Sequence, residues 1–147
     1  LKPAVLSLAL TNRCNSRCVM CNIWKIPREV PNMAISQWLE LLSSDLFADI
    51  RELDITGGEP FIRYDLIDLF FGICELKHKC LPALRSIAVT TNGFLTDAVV
   101  STVENILPIF NKKGVDLIVV CVLDAVGALH NQIRNYPDAW PKVSSTL

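Results

Sequence analysis

Four short, mostly apolar runs recur along this sequence, and segments of helical periodicity separate them. Residues 4–11 (AVLSLALT) run into polar Thr-Asn-Arg and read as a buried strand. A Pro-punctuated loop, KIPREVPN, leads to Ser36, which reads as an N-cap before a helix in which Trp38, Leu41 and Leu42 recur at helical spacing. A second strand, from about Glu52 to Thr56, is stopped by Gly57, Gly58 and Pro60. Asp65 to about Lys79 reads as a helix with Leu66, Leu69, Phe70 and Ile73 on one side. The third strand, SIAVTTNG, closes on Asn-Gly, and Thr96 would cap a helix from Asp97 to about Phe110. Gly114 precedes the fourth strand, VDLIVVCVLDA, and a fourth helix begins in the tail from Pro137 onward.

Parallel neighbours need a long return connection, so this alternation predicts an α/β fold built on a parallel sheet with helical crossovers. Strands apolar on both faces lead to the expectation that helices cover one side and an interior the other. A chain of 147 residues suits one domain. In α/β sheets ligands gather beyond the carboxyl ends of the strands. The unusual residues stand there: Cys14-Asn15-Ser16-Arg17-Cys18-Val19-Met20-Cys21, then GGEP, TNG and LDA.

Bulk composition narrows the partners. The formal net charge is −1 with no run of like charges, so the footprint of a nucleic-acid or anionic-membrane binder is missing, and a small, roughly neutral partner is favoured. Mean hydropathy is high at +0.37. The longest unbroken apolar run, Leu117 to Leu123, nevertheless falls short of the roughly 18 residues of a membrane span and reads as a buried strand. The opening LKPAVLSLALTNRC lacks a small-residue cleavage site and is not expected to be a secretory segment; its initial Leu suggests a trimmed chain. Six cysteines set amid periodic segments favour a reducing compartment, hence a cytoplasmic location, where thiols serve metal or redox chemistry.

Three of those thiols fall within eight residues, at x3 and x2 spacing. Thiolates bind soft metals and iron-sulfur clusters, and this spacing lets one loop wrap a corner of a 4Fe-4S cube. Three ligands leave one iron uncommitted, as catalytic zinc sites keep one position open. Arg13 and Arg17 add positive charge that would lower the thiol pKa values. A structural zinc would instead need a fourth ligand, for which Cys74, Cys80, Cys121, His78 and His130 are the candidates. Cys74 and His78, four apart, suit one helix face. Otherwise Cys74, Cys80 and Cys121 read as buried, inert thiols.

CNSRCVMC resembles the CxxxCxxC signature of the radical S-adenosylmethionine (radical SAM) enzymes, and TGGEP after the second strand and TTNG after the third follow the same family's order. The resemblance covers almost the whole chain, about the first four of six strand-helix units in a partial (β/α) barrel. It implies a radical SAM core domain over residues 1–147, incomplete at its C-terminal side. By this resemblance Cys14, Cys18 and Cys21 hold a 4Fe-4S cluster. Gly57, Gly58 and Glu59 take the amino group of the methionine moiety of S-adenosylmethionine (SAM). Met20 stands where relatives place a residue whose backbone touches adenine, and Thr91 and Asn92 lie by the ribose or the substrate. Val122-Leu123-Asp124 is similar to a family Ser-Leu-Asp, with Val122 lacking the serine hydroxyl and Asp124 retained. HNQIR looks like a family loop, with Arg134 a partner for a carboxylate.

The activity so implied is reductive cleavage of SAM to a 5'-deoxyadenosyl radical, which takes a hydrogen atom from a small-molecule or peptide substrate. An external electron donor, flavodoxin-like or ferredoxin-like, is implied with it. The rivals are a non-catalytic iron-sulfur or zinc module closed by a fourth ligand, and an inactive, truncated domain of the same fold.

Overall fold

The first apolar run forms β1 (Val5–Ala9) in a computed structural model that describes residues 2–147. It is followed by α1 (Ile35–Leu42), β2 (Glu52–Thr56), α2 (Leu66–Leu76), β3 (Ser86–Thr91), α3 (Thr96–Lys113), β4 (Asp116–Cys121), α4 (Gly127–Arg134) and α5 (Ala139–Thr146). The strands make one wholly parallel sheet in the order β1-β2-β3-β4, with Leu8 opposite Ile55 and Val89 opposite Val119. This is the expected partial-barrel α/β architecture. Sequential order leaves the carboxyl ends of all four strands along one rim.

Side chains alternate across a strand, and the two faces differ. Leu8, Leu53, Ile55, Ile87 and Val89 point to the helix side and are buried. There they meet Leu66, Leu69, Phe70 and Ile73 of α2, the four residues that helical periodicity places together. Phe70 meets Phe110 of α3 edge-on at 5.8 Å. The opposite face is not apolar: Ser7 donates to Asp54 across it at 3.1 Å, and Ser86, Ala88 and Thr90 continue it. Nor is the fourth run a buried strand. β4 has β3 on one side only, and Ile118 and Val120 remain 47% and 39% exposed. Among the described residues no helix is long and apolar enough to cross a membrane.

Element ends depart from expectation for local reasons. Ser36 lies inside α1, whose N-cap is Ala34; Ala34 has no side-chain oxygen to offer the first turn, and the Gln37 side chain reaches back to the Ala34 N–H at 2.9 Å. Leu41 turns outward and Leu42 fills the core. Thr96 is the first residue of α3, which runs past Phe110 until Gly114 turns left-handed at φ 66°. HNQIR is no loop: it completes α4, which stops at Asn135 in the left-handed conformation.

Candidate functional site

The site begins where β1 ends, because the chain from Leu10 to Cys21 runs along the rim instead of turning into a helix. Leu10 stays in register with the sheet, donating to the Thr56 carbonyl at 2.9 Å. Beyond it Gly58 N–H donates to Thr11 O at 2.6 Å and Glu59 N–H to Arg13 O at 2.8 Å. Those bonds explain the glycine pair. A Cβ on Gly57 would lie 2.5 Å from Thr11 O, and one on Gly58 would collide with the Arg13 carbonyl. The close approach is therefore made first to the chain's own thiol-bearing loop. At Gly57 the backbone also sits at φ 129°, which side-chain-bearing residues rarely adopt.

Glu59 stands behind the cavity wall and is fully buried. Its Oε1 accepts from Thr91 Oγ1 at 2.8 Å and Phe61 N–H at 3.2 Å, and its Oε2 from Asn92 N–H at 2.8 Å. Burial pushes its pKa up against the pull of these donors and of Arg134. The carboxylate is thus turned to the end of β3, where it braces Thr91 and Asn92. Asn92 is fixed in turn: its Oδ1 accepts from Phe94 N–H at 3.0 Å, and its Nδ2 donates to Asn15 Oδ1 at 2.7 Å, with Cys14 Sγ 3.9 Å away.

The far side of the loop rests on α4. A helix ends with unpaired carbonyls. Here Val19 N–H donates to Ile133 O at 2.9 Å, Arg17 N–H to Arg134 O at 3.3 Å and Ser16 Oγ to Arg134 O at 2.9 Å. The Arg134 guanidinium turns back under the loop. Nη1 lies 3.7 Å from Cys18 Sγ, Nη2 donates to Val122 O at 2.8 Å, and Nε is 2.6 Å from Asp124 Oδ2. That last contact lies off the N–H direction, which leaves buried Nε without an acceptor.

These walls enclose a cavity of about 250 Å³. It gathers Cys14, Cys18, Cys21, Met20, Gly57, Gly58, Thr91, Asn92, Asp124 and Arg134. Val122 and Asp124 both line it, although β4 ends at Cys121 and they lie in the turn beyond it rather than on one strand face. Met20 is 59% exposed. A larger groove of about 640 Å³ runs between α3 and β4, away from the three clustered thiols.

Arg13 and Arg17 do not act on the thiols as expected. The Arg13 guanidinium is held by the carbonyls of Pro27, Arg28 and Val30, and Arg17 lies over the Trp24 ring. Burial consequently dominates at Cys14 and raises its pKa, with Ser16 N–H opposing and Glu59 adding to the rise. Of the other thiols and the exposed His78, none lines the cavity; Cys74 is buried in the core under α2. Among the described residues no three His, Cys, Asp or Glu side chains converge as a single ion requires.

The Radical SAM superfamily model matches residues 8–135. The chain belongs to this superfamily. Within the radical SAM proteins it is 33% identical to GTP 3',8-cyclase of Pseudomonas savastanoi pv. phaseolicola over 95 residues, 63% of this chain and 27% of that protein. It is 32% identical to molybdenum cofactor biosynthesis protein 1 of Bos taurus over 120 residues, 77% of this chain and 16% of that one. The chain thus spans about a quarter or less of these curated relatives. Its fold is that of Streptococcus suis SuiB, whose crystal structure bound to S-adenosylmethionine gives a TM-score of 0.65 at 19% identity, over 97% of this chain and 31% of that one.

The cofactors of a radical SAM protein are a 4Fe-4S cluster and SAM. Three soft sulfur donors on one wall suit the cluster, and the side-chain-free backbone of Gly57 and Gly58 beside them leaves polar groups open for SAM.

Sequence reasoning passed over Ser16, Asn15 and the burial of His130. Ser16 and Asn15 sit between the cysteines without being part of the signature, and their partners Arg134 and Asn92 lie 118 and 77 residues away. From sequence His130 reads as a candidate metal ligand and as the start of HNQIR. It is fully buried, its Nδ1 accepts Asp124 N–H at 3.4 Å, and its ring meets Trp140 edge-on at 6.1 Å. Burial, then the charge of Arg134, hold its pKa below the usual histidine value against the opposing Asp124. An unfolded histidine takes its proton near about pH 6.5 and this folded one only at lower pH, so the unfolded state binds more protons in that window. Stability is therefore lost as pH falls below about 6.5. From about pH 7.5 to about pH 5.5 the Tm of the native chain should drop more steeply than that of His130→Gln; equal slopes would contradict this assignment.

Proposed function

We propose that this chain is the cofactor-binding core of a radical SAM enzyme, in which Cys14, Cys18 and Cys21 hold a 4Fe-4S cluster and leave one iron open to SAM. The observation that carries this reading is the single cavity joining the three thiols to the ends of β2, β3 and β4. When bound and reduced, the cluster supplies the electron for reductive cleavage of SAM to a 5'-deoxyadenosyl radical. The chain's part is to orient and to exclude water. The backbone of Gly57 and Gly58 would hold the amino group, with Glu59 bracing the neighbouring strand end. The Met20 segment would meet adenine, Thr91 and Asn92 would stand by the ribose or the substrate, and Asp124 and Arg134 would close the β4 side. Arg134 has spare N–H donors for a carboxylate.

A flavodoxin-like or ferredoxin-like protein is the electron donor, and the protein works in the cytoplasm, where thiols stay reduced. Similarity to the GTP 3',8-cyclases makes GTP the first substrate to assay. The test is anaerobic reconstitution followed by metal and sulfide analysis. About four iron and four sulfide per chain are expected, with 5'-deoxyadenosine released once SAM and a reductant are added. One zinc per chain without sulfide would overturn the proposal and favour the structural-metal rival.

A further inference from the structure

Arg134 reaches the second cysteine by two routes. Its Nη1 is a donor 3.7 Å from Cys18 Sγ, and its carbonyl oxygen accepts the Ser16 hydroxyl, whose oxygen lies 3.1 Å from the same sulfur. All three residues are buried, at 7%, 8% and 2% exposure for Arg134, Cys18 and Ser16. Cys14 has only neutral donors, the Ser16 N–H at 3.4 Å and the Asn92 amide at 3.9 Å. Among the described residues, Cys18 alone of the three thiols has a charged group as its hydrogen-bond donor.

We propose that Arg134 is a positioning residue that sets the reduction potential of the cluster through Cys18, with Ser16 orienting the sulfur and Asp124 moderating the charge. This inference rests on the cluster assignment made above. Adding an electron places negative charge on the cluster and its sulfurs, so a cation and a hydrogen bond at one sulfur stabilise the reduced form and raise the potential. Burial leaves that charge poorly screened.

Proton counting makes the guanidinium the dependable donor. A hydroxyl carries one proton, and when Ser16 gives its proton to the Arg134 carbonyl it has none for sulfur. A thiolate ligand brings none of its own. The guanidinium has five N–H groups, and its place is fixed by Val122 O at 2.8 Å and by Asp124 Oδ2 at 2.6 Å.

The test is a potentiometric titration of the reconstituted protein in the absence of SAM, with iron and sulfide counted for every variant. In Arg134→Gln the ratio of reduced to oxidised cluster at a fixed solution potential should fall about tenfold, a midpoint lower by about 59 mV for one electron. Arg134→Lys, which keeps the charge, should recover most of the loss. Asp124→Asn removes the opposing carboxylate and should move the midpoint upward. A role in structure alone would reduce loading in all three variants and leave the midpoint of the loaded fraction where it was. Loaded variants that share the native midpoint would therefore overturn this inference alone, whereas native protein that takes up no iron and sulfide would remove the cluster reading and this inference together. Should Arg134→Gln fail to load, Asp124→Asn decides: an upward shift supports the proposal and an unchanged midpoint overturns it.

Discussion

Cys18→Ala is expected to abolish cluster assembly, with iron and sulfide near zero after anaerobic reconstitution, whereas Cys74→Ala keeps the native content. Cys18 is 8% exposed and clasped between Ser16 Oγ and Arg134 Nη1. Its loss leaves two thiols in the cavity and deprives a buried guanidinium of one partner, a cost of about 1–3 kcal/mol on top of the missing ligand. Cys74 is equally buried but packs with the apolar core under α2. Shortening it costs packing, on the order of 1 kcal/mol, and touches nothing at the rim. Equal loss of cluster in both variants would refute the ligand assignment.

Glu59→Ala is expected to be the most damaging substitution at the site that removes no ligand. It orphans Phe61 N–H, Thr91 Oγ1 and Asn92 N–H in a region without solvent, where each unmet group costs about 1–3 kcal/mol. Local relaxation will recover part of that sum. We expect about 3 kcal/mol, which for a chain of this size lowers the Tm by about 6–12 °C. Glu59→Gln should cost much less, because one amide oxygen can still accept from Thr91 and Phe61. Thermal unfolding at about pH 7.5 distinguishes them, and matching Tm values for Glu59→Ala and native protein would rule out the bracing role.

What the sequence shows and hides follows from the range of the interactions involved. The α/β order, the parallel sheet and the apolar side of α2 are legible because they depend on periodicity within a few turns: Leu66, Leu69, Phe70 and Ile73 fall together as 3.6-residue spacing requires. The three clustered cysteines and the glycine pair are legible as chemistry at strand ends. What fixes them is not. Ser16 and Arg134 are 118 residues apart, and only the fold says that the C-terminal carbonyls of α4 receive the thiol loop. GGEP names the position of Glu59 without saying that Phe61 N–H, Thr91 Oγ1 and Asn92 N–H converge on its carboxylate. The open face of the sheet escaped notice for a related reason. Apolar Ile118 and Val120 signal burial, and their exposure follows from their place on the open face of the sheet, alternating with half-buried Leu117 and Val119.

The central claim is that three sulfurs anchor a cubane and leave its fourth iron free to bind SAM. Electron paramagnetic resonance of the reduced, reconstituted protein with and without SAM tests it most directly. The account predicts that SAM shifts the signal of the reduced cluster, since the cofactor coordinates the metal itself. A spectrum unchanged at saturating SAM would contradict it.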